Sequence, residues 1–125
     1  MPAVIRHDGD VSIVERSGEF TLGRGALTRP LDLHGHRLED LGETLRGLLE
    51  RSNARIVLDL DQVRFVDSAG LGELVAWKKR ATQLGGDVRL LRPRPRVRNV
   101  IELTALTSVF SIFDTEAEAV ASFRS

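Results

Sequence analysis

Arg55-Ile56-Val57-Leu58-Asp59-Leu60 and Val63-Arg64-Phe65-Val66-Asp67-Ser68-Ala69-Gly70-Leu71-Gly72 are the stretches that decide the fold. The apolar residues up to Val66 read as buried strand. From Leu71 the spacing changes to that of a helix running to Leu84. Asp67–Gly72 is therefore a strand-to-helix turn. A serine hydroxyl there lies at the positive end of a helix, where backbone N–H groups lack partners. Such a position favours a phosphate. A serine acting only as a helix N-cap is the structural alternative.

Working outward, Ile56-Val57-Leu58 is apolar without alternation, which fits a central strand covered on both faces or paired in parallel. The helix after Gly70 is expected to turn Leu71, Leu74, Val75, Ala81 and Leu84 inward, and Gly85-Gly86 ends it. Val88–Leu91 reads as a strand that Pro93 and Pro95 stop. Val97, Val100, Ile101 and Thr104 mark a short helix. Val109–Phe113 reads as the last strand, and Thr115 with Glu118 opens a terminal helix through a capping box. Towards the N-terminus, Val11–Arg16 and Gly18–Leu22 read as two strands joined by a short turn into an antiparallel edge. Arg29–His36 reads as an irregular loop, and Asp40 with Glu43 opens a helix carrying Leu41, Leu45, Leu48 and Leu49. The order is β-β-α-β-α-β-α-β-α. It predicts an α/β fold with a mixed sheet of four or five strands and helices mainly on one face.

The chain has 125 residues, with 18 Lys and Arg against 18 Asp and Glu, and no cysteine. That length supports one core without staples. Zero net charge gives no general pull towards nucleic acid or acidic membranes. Lack of cysteine excludes disulfides and thiolate chemistry. No run approaches the ~20 apolar residues needed to span a bilayer. Positive charge gathers between Lys78 and Arg98, with Asp87 as the one acid there. That run reads either as a solvated face or as a patch for an acidic partner.

Catalytic signatures are weak. Ser68 follows Asp67, not the glycine of a nucleophile elbow. His34-Gly35-His36 lacks a third ligand and makes a poor zinc signal. The absence of tyrosine argues against stacking platforms for single-stranded nucleic acid. Trp77 falls off the main inward stripe of its helix. It can cover the edge of the core or anchor a partner.

Taken in order, Ile56–Leu60, Val63–Gly72, Gly85–Leu91, Val97–Ile101 and Val109–Phe113 resemble the STAS domains of bacterial anti-sigma-factor antagonists. Gly18-Glu19-Phe20-Thr21 is similar to an early strand of that family. The resemblance runs from Asp10 onward, so residues 1–9 are expected as an N-terminal arm and 10–125 as one STAS domain. It implies a cytoplasmic binding module with no catalytic residues, cofactor or metal. Such a module binds an anti-sigma factor that is also a serine kinase, is released when Ser68 is phosphorylated, and is restored by a phosphatase. The implied partner surface is Asp67, Ser68, Ala69, Gly70, Leu71, Gly72 and Glu73, with Trp77 and Lys78, without direct contact to nucleic acid or insertion into a membrane. Weak homodimerisation stays open. Many relatives carry a second hydroxyl after the serine; here that residue is Ala69, so the switch rests on Ser68. Gly70 and Gly72 leave the surface bare for a partner, or serve close packing. Two other readings remain: a STAS scaffold or transporter-associated subunit without a switch, and a small hydrolase or phosphotransferase using Ser68 with Asp67.

Overall fold

The computed structural model describes residues 3–16, 20–22, 41–51 and 53–124. Among the described residues there are seven strands: β1 Ala3–Asp8, β2 Val11–Arg16, β3 Phe20–Leu22, β4 Arg55–Asp59, β5 Val63–Val66, β6 Asp87–Leu91 and β7 Ile112–Phe113. The described α-helices are α1 Leu41–Glu50, α2 Ser68–Gln83, α3 Pro95–Leu103 and α4 Glu116–Ala121, with a 3-10 turn at Leu106–Ser108. The main sheet is mixed, in the order β1-β2-β4-β6-β7. β1 and β2 pair antiparallel, and the remaining neighbours pair in parallel.

The unalternating run in β4 is explained by two cores. Ile56 and Leu58 face one side, with Leu45, Leu48, Leu74, Ala81, Val97 and Ile101 from α1, α2 and α3. Val57 faces the other, with Val11, Ile13, Leu91, Ala119 and Val120 from β2, β6 and α4. Three described helices thus cover one face and α4 the other. A strand buried on both faces needs apolar side chains at successive positions.

Four expectations are corrected. Residues 3–8, expected within an arm, form edge strand β1. Gly9, at a φ of 63°, closes the two-residue turn Gly9-Asp10, so the antiparallel edge is β1 with β2. The strand expected at Gly18–Leu22 appears as Phe20–Leu22, and it pairs in parallel with β5 in a separate two-stranded sheet. Arg55–Val66 is two strands in two sheets, broken at Asp61-Gln62, where Asp59 Oδ1 accepts the Asp61 N–H at 3.0 Å. The last strand is shorter than expected, because Leu106–Ser108 winds into the 3-10 turn first. The Arg29–His36 loop with its two histidines, His34 and His36, and the Asp40 cap lie outside the described residues.

At the end of α2 the chain turns tightly into β6. A Cβ on Gly86 would lie 2.1 Å from the Ala54 carbonyl oxygen, a clash no side chain could relieve. Asp87 N–H donates to that same oxygen at 2.9 Å. This close approach fixes the far end of the helix that carries Ser68.

Candidate functional site

Strand β5 ends at Val66, and α2 begins two residues later. Asp67 is the N-cap: its backbone is extended, and its Oδ1 accepts the Gly70 N–H at 2.8 Å. The Asp67 carbonyl takes the first helical bond, from Leu71 N–H at 2.9 Å. Ser68 is the first helical residue and is exposed. Among the described residues its hydroxyl makes no hydrogen bond. The capping work is done by the aspartate, so the serine oxygen stands free at the positive helix end. The first turn of α2 carries no acidic side chain at present.

Helical spacing sorts the other expected site residues. Gly70 and Leu74 are buried and Leu71 is half-buried. Gly70 therefore serves packing. A Cβ built on Gly72 would meet nothing within 4 Å, so that residue leaves open surface. The solvent stripe runs Ser68, Gly72, Val75, Lys79, at intervals of four, three and four. Val75, expected to point inward, is 38% exposed. Glu73 is half-buried. Trp77 is half-buried against the core and shares a groove with Leu49 of α1, so it covers the edge of the core. Lys78 leans the other way. Its ammonium pairs with Asp87, the two side chains being 21% and 19% exposed, and it sits 5.7 Å from the Phe110 ring. The expected surface is thus split: Trp77 and Lys78 flank opposite sides of the buried stripe. Val75 was the residue missed, and counting in helical steps from Ser68 would have found it.

Much of the basic run makes contacts within the fold. Arg92 pairs with Asp59 at 2.6 Å, and the Asp59 side chain is only 1% exposed. Arg94 Nε donates to the Asp61 carbonyl at 2.6 Å. Arg96 lies 5.1 Å from the Phe65 ring. Arg98 pairs with Asp114 at 2.9 Å. Arg89 stacks on Phe123 at 4.0 Å. Through Arg94 and Arg96 this segment grips β5 and the corner before it. The guanidinium of Arg92 is held in its charged form still more firmly by the hydrogen bond it donates to Asp59. Lys79, Arg80 and Arg96 have no carboxylate partner among the described residues.

Other chemistry finds little support in the described residues. No group of three or more His, Cys, Asp or Glu side chains is arranged to hold a metal ion. His7 Nδ1 lies 3.2 Å from the buried Ser12 hydroxyl, a strand-pairing contact and not a base for Ser68. No described helix is long and apolar enough to cross a membrane.

A mixed sheet whose helix-opening turn presents a free serine defines a class of α/β domain, and comparison with known proteins gives the family. Residues 26–119 match the family model described as the STAS domain, and the chain belongs to that family. It is 28% identical over 116 residues to the anti-sigma F factor antagonist of Paenibacillus polymyxa, covering 93% of this chain and 89% of that one. BtrV of Bordetella bronchiseptica is 30% identical over 86 residues, 69% of this chain and 74% of its own. An anti-sigma factor antagonist from Mycobacterium paratuberculosis superposes with a TM-score of 0.75 at 24% identity, over 98% of this chain and 93% of the other. Unphosphorylated SpoIIAA, an anti-sigma factor antagonist, shares the fold at a TM-score of 0.65 and 20% identity, over 98% and 96% of the two chains. SpoIIAA of Bacillus has also been solved in its phosphorylated form, with a TM-score of 0.63 to this chain.

Proposed function

We propose that this STAS domain is an anti-sigma-factor antagonist that holds an anti-sigma factor/serine kinase while Ser68 is unmodified and lets it go once Ser68 is phosphorylated. The observation that carries the reading is the free, exposed Ser68 hydroxyl beside a neighbour that already caps the helix. A modification there removes no structural hydrogen bond. The existence of SpoIIAA in unphosphorylated and phosphorylated forms supports the same reading.

In the forward step the Ser68 oxygen attacks the γ-phosphorus of the kinase's ATP. The bond to ADP breaks, and the hydroxyl proton passes to a base of the kinase. A phosphatase reverses it with water, releasing inorganic phosphate and the serine. The domain itself supplies no catalysis. It contributes the acceptor and the docking surface, from Asp67 to Gly72 with Glu73 alongside, Trp77 and Lys78 lying on its flanks. Phosphoserine adds about −1.5 to −2 charges. The fold tolerates these, because an anion at a helix N-terminus is stabilised. A partner packed against the turn does not, since it must desolvate that charge next to the Asp67 carboxylate. One modification thereby leaves the domain folded while weakening its complex. The setting is cytoplasmic, where ATP and such a kinase are present.

The test is incubation of the purified chain with ATP and purified serine-kinase anti-sigma factors from the same genome, followed by intact-mass measurement. One added phosphoryl group, absent in Ser68→Ala, is expected. A chain that binds such a kinase and never gains the group would be a constitutive binder, and the switch reading would fall.

A further inference from the structure

The exposed hydrophobic side chains are few, and two of them meet. Among the described residues the large exposed ones are Val4, Val75, Leu103 and Val109. Val75 on α2 and Val109, which follows the 3-10 turn, come from distant parts of the chain. They line one groove with Lys78, Lys79, Thr82 and Gln83. Single exposed valines are ordinary; two that share a groove are a contiguous apolar floor. The α2 wall is formed at positions 75, 78, 79, 82 and 83, so the groove follows the helix axis for about 12 Å at a rise of ~1.5 Å per residue. It lies on the Ser68 side of α2: Val75 is two turns beyond Ser68, about 10 Å along the axis.

The charge of the groove has one sign. Lys78 is compensated by Asp87. Lys79 is exposed and has no carboxylate partner among the described residues. No acidic residue lines the groove. Thr82 already donates its hydroxyl to the Lys78 carbonyl at 2.8 Å, which leaves the Gln83 amide and the Lys79 ammonium to meet a ligand.

We infer that this groove is a second docking zone, which takes an aliphatic side chain from a partner helix that carries a carboxylate within reach of Lys79. The inference rests on the reading given under Proposed function and adds to it where, and with what chemistry, the partner grips beyond the serine turn. Helix-in-groove recognition places apolar anchors on the floor and charged residues on the rim. A second copy of this chain is a poor occupant. A twofold contact sets a patch on itself, which would bring Lys79 to Lys79 with no acid between them.

The experiment measures the Kd of the purified serine-kinase anti-sigma factor that phosphorylates this chain, against wild type, Ser68→Asp, Val109→Asp, Val109→Thr and Lys79→Glu. Val109→Asp and Lys79→Glu are expected to weaken binding about tenfold or more, the effect of losing a central contact. Val109→Thr, nearly the same size, should weaken it several-fold without unfolding risk, as circular dichroism of each variant checks. Lys79→Glu should also flatten the salt dependence of association, since one attractive charge pair is gone. If Val109→Asp, Val109→Thr and Lys79→Glu all bind as wild type while Ser68→Asp does not, the groove is no docking zone and the switch stands. If Ser68→Asp also binds as wild type, the switch falls too. A concentration-dependent dimer of the chain alone, dissolved by Val109→Asp in sedimentation velocity, would overturn the inference in favour of self-association.

Discussion

At the residue scale, Asp67 and Ser68 divide two jobs that one serine could have carried. The carboxylate closes the helix and the hydroxyl stays available. Asp67→Ala should cost about 0.5–2 kcal/mol of stability, the usual loss of an N-cap, read from urea unfolding. Ser68→Ala should cost almost nothing, because its hydroxyl makes no bond among the described residues. Ser68→Asp should hold stability level or raise it by about 0.3–1 kcal/mol, since it puts the first acid into the opening turn of α2. The same variant should lose partner binding. A parallel fall of stability and affinity in Ser68→Asp would mean that the serine is structural after all. A fixed fold with lost affinity separates signalling from folding at a single atom.

At the scale of elements, what the sequence announced and what it hid have physical causes. β4 was legible because a strand covered on two faces is apolar at successive positions, and α2 because its buried residues keep helical spacing. The serine turn was legible for the same reason, lying where one pattern gives way to the other. Strand β1 was hidden because Ala3, Val4 and Ile5 are its three apolar members, followed by Arg6-His7-Asp8, and an edge strand half in water shows no buried alternation. The partnering of the basic loop was hidden because it depends on contacts across 33 residues, such as Arg92 with Asp59 and Arg94 with Asp61. No local pattern encodes those. Arg92 carries a further mark: its φ is 50°, in the left-handed region that costs a side chain energy. The pair with Asp59 holds it there. Arg92→Ala should destabilise by about 1–3 kcal/mol, because a buried carboxylate loses a partner. Arg92→Gly loses the same pair yet relieves the backbone, so it should be the more stable of the two by about 1 kcal/mol. Equal unfolding free energies for the two variants would refute the account of strain.

At the scale of the whole molecule, the two ends of the described chain are tied together across the sheet. Arg6 of β1 pairs with Glu116 of α4, and Arg124 with Asp8. The hydrogen bond from Arg6 holds the Glu116 carboxyl below the ordinary carboxylate range. A carboxyl lowered in the folded state gives its stabilisation in full above its unfolded pKa, and loses it as pH falls through the lowered value. Unfolding free energy between about pH 6 and pH 3, spanning the ordinary Glu value of ~4.3, should therefore drop more steeply in wild type than in Glu116→Gln. Identical slopes would show that the pair adds nothing. A different consequence follows from the break at Asp61-Gln62, which sends β4 and β5 into separate sheets although they are nearly consecutive. Among the described residues β4 sits in the middle of five strands, whereas β5 has one short partner, β3. A two-stranded ribbon is marginal by itself, and local opening selects such low-stability units. Amide protons of Val63–Val66 should thus exchange with solvent well before those of Ile56–Leu58, a contrast that native-state hydrogen exchange would read residue by residue. The serine turn hangs from that ribbon, so a kinase needing slack around its acceptor could draw on a local opening while the five-stranded sheet stays shut.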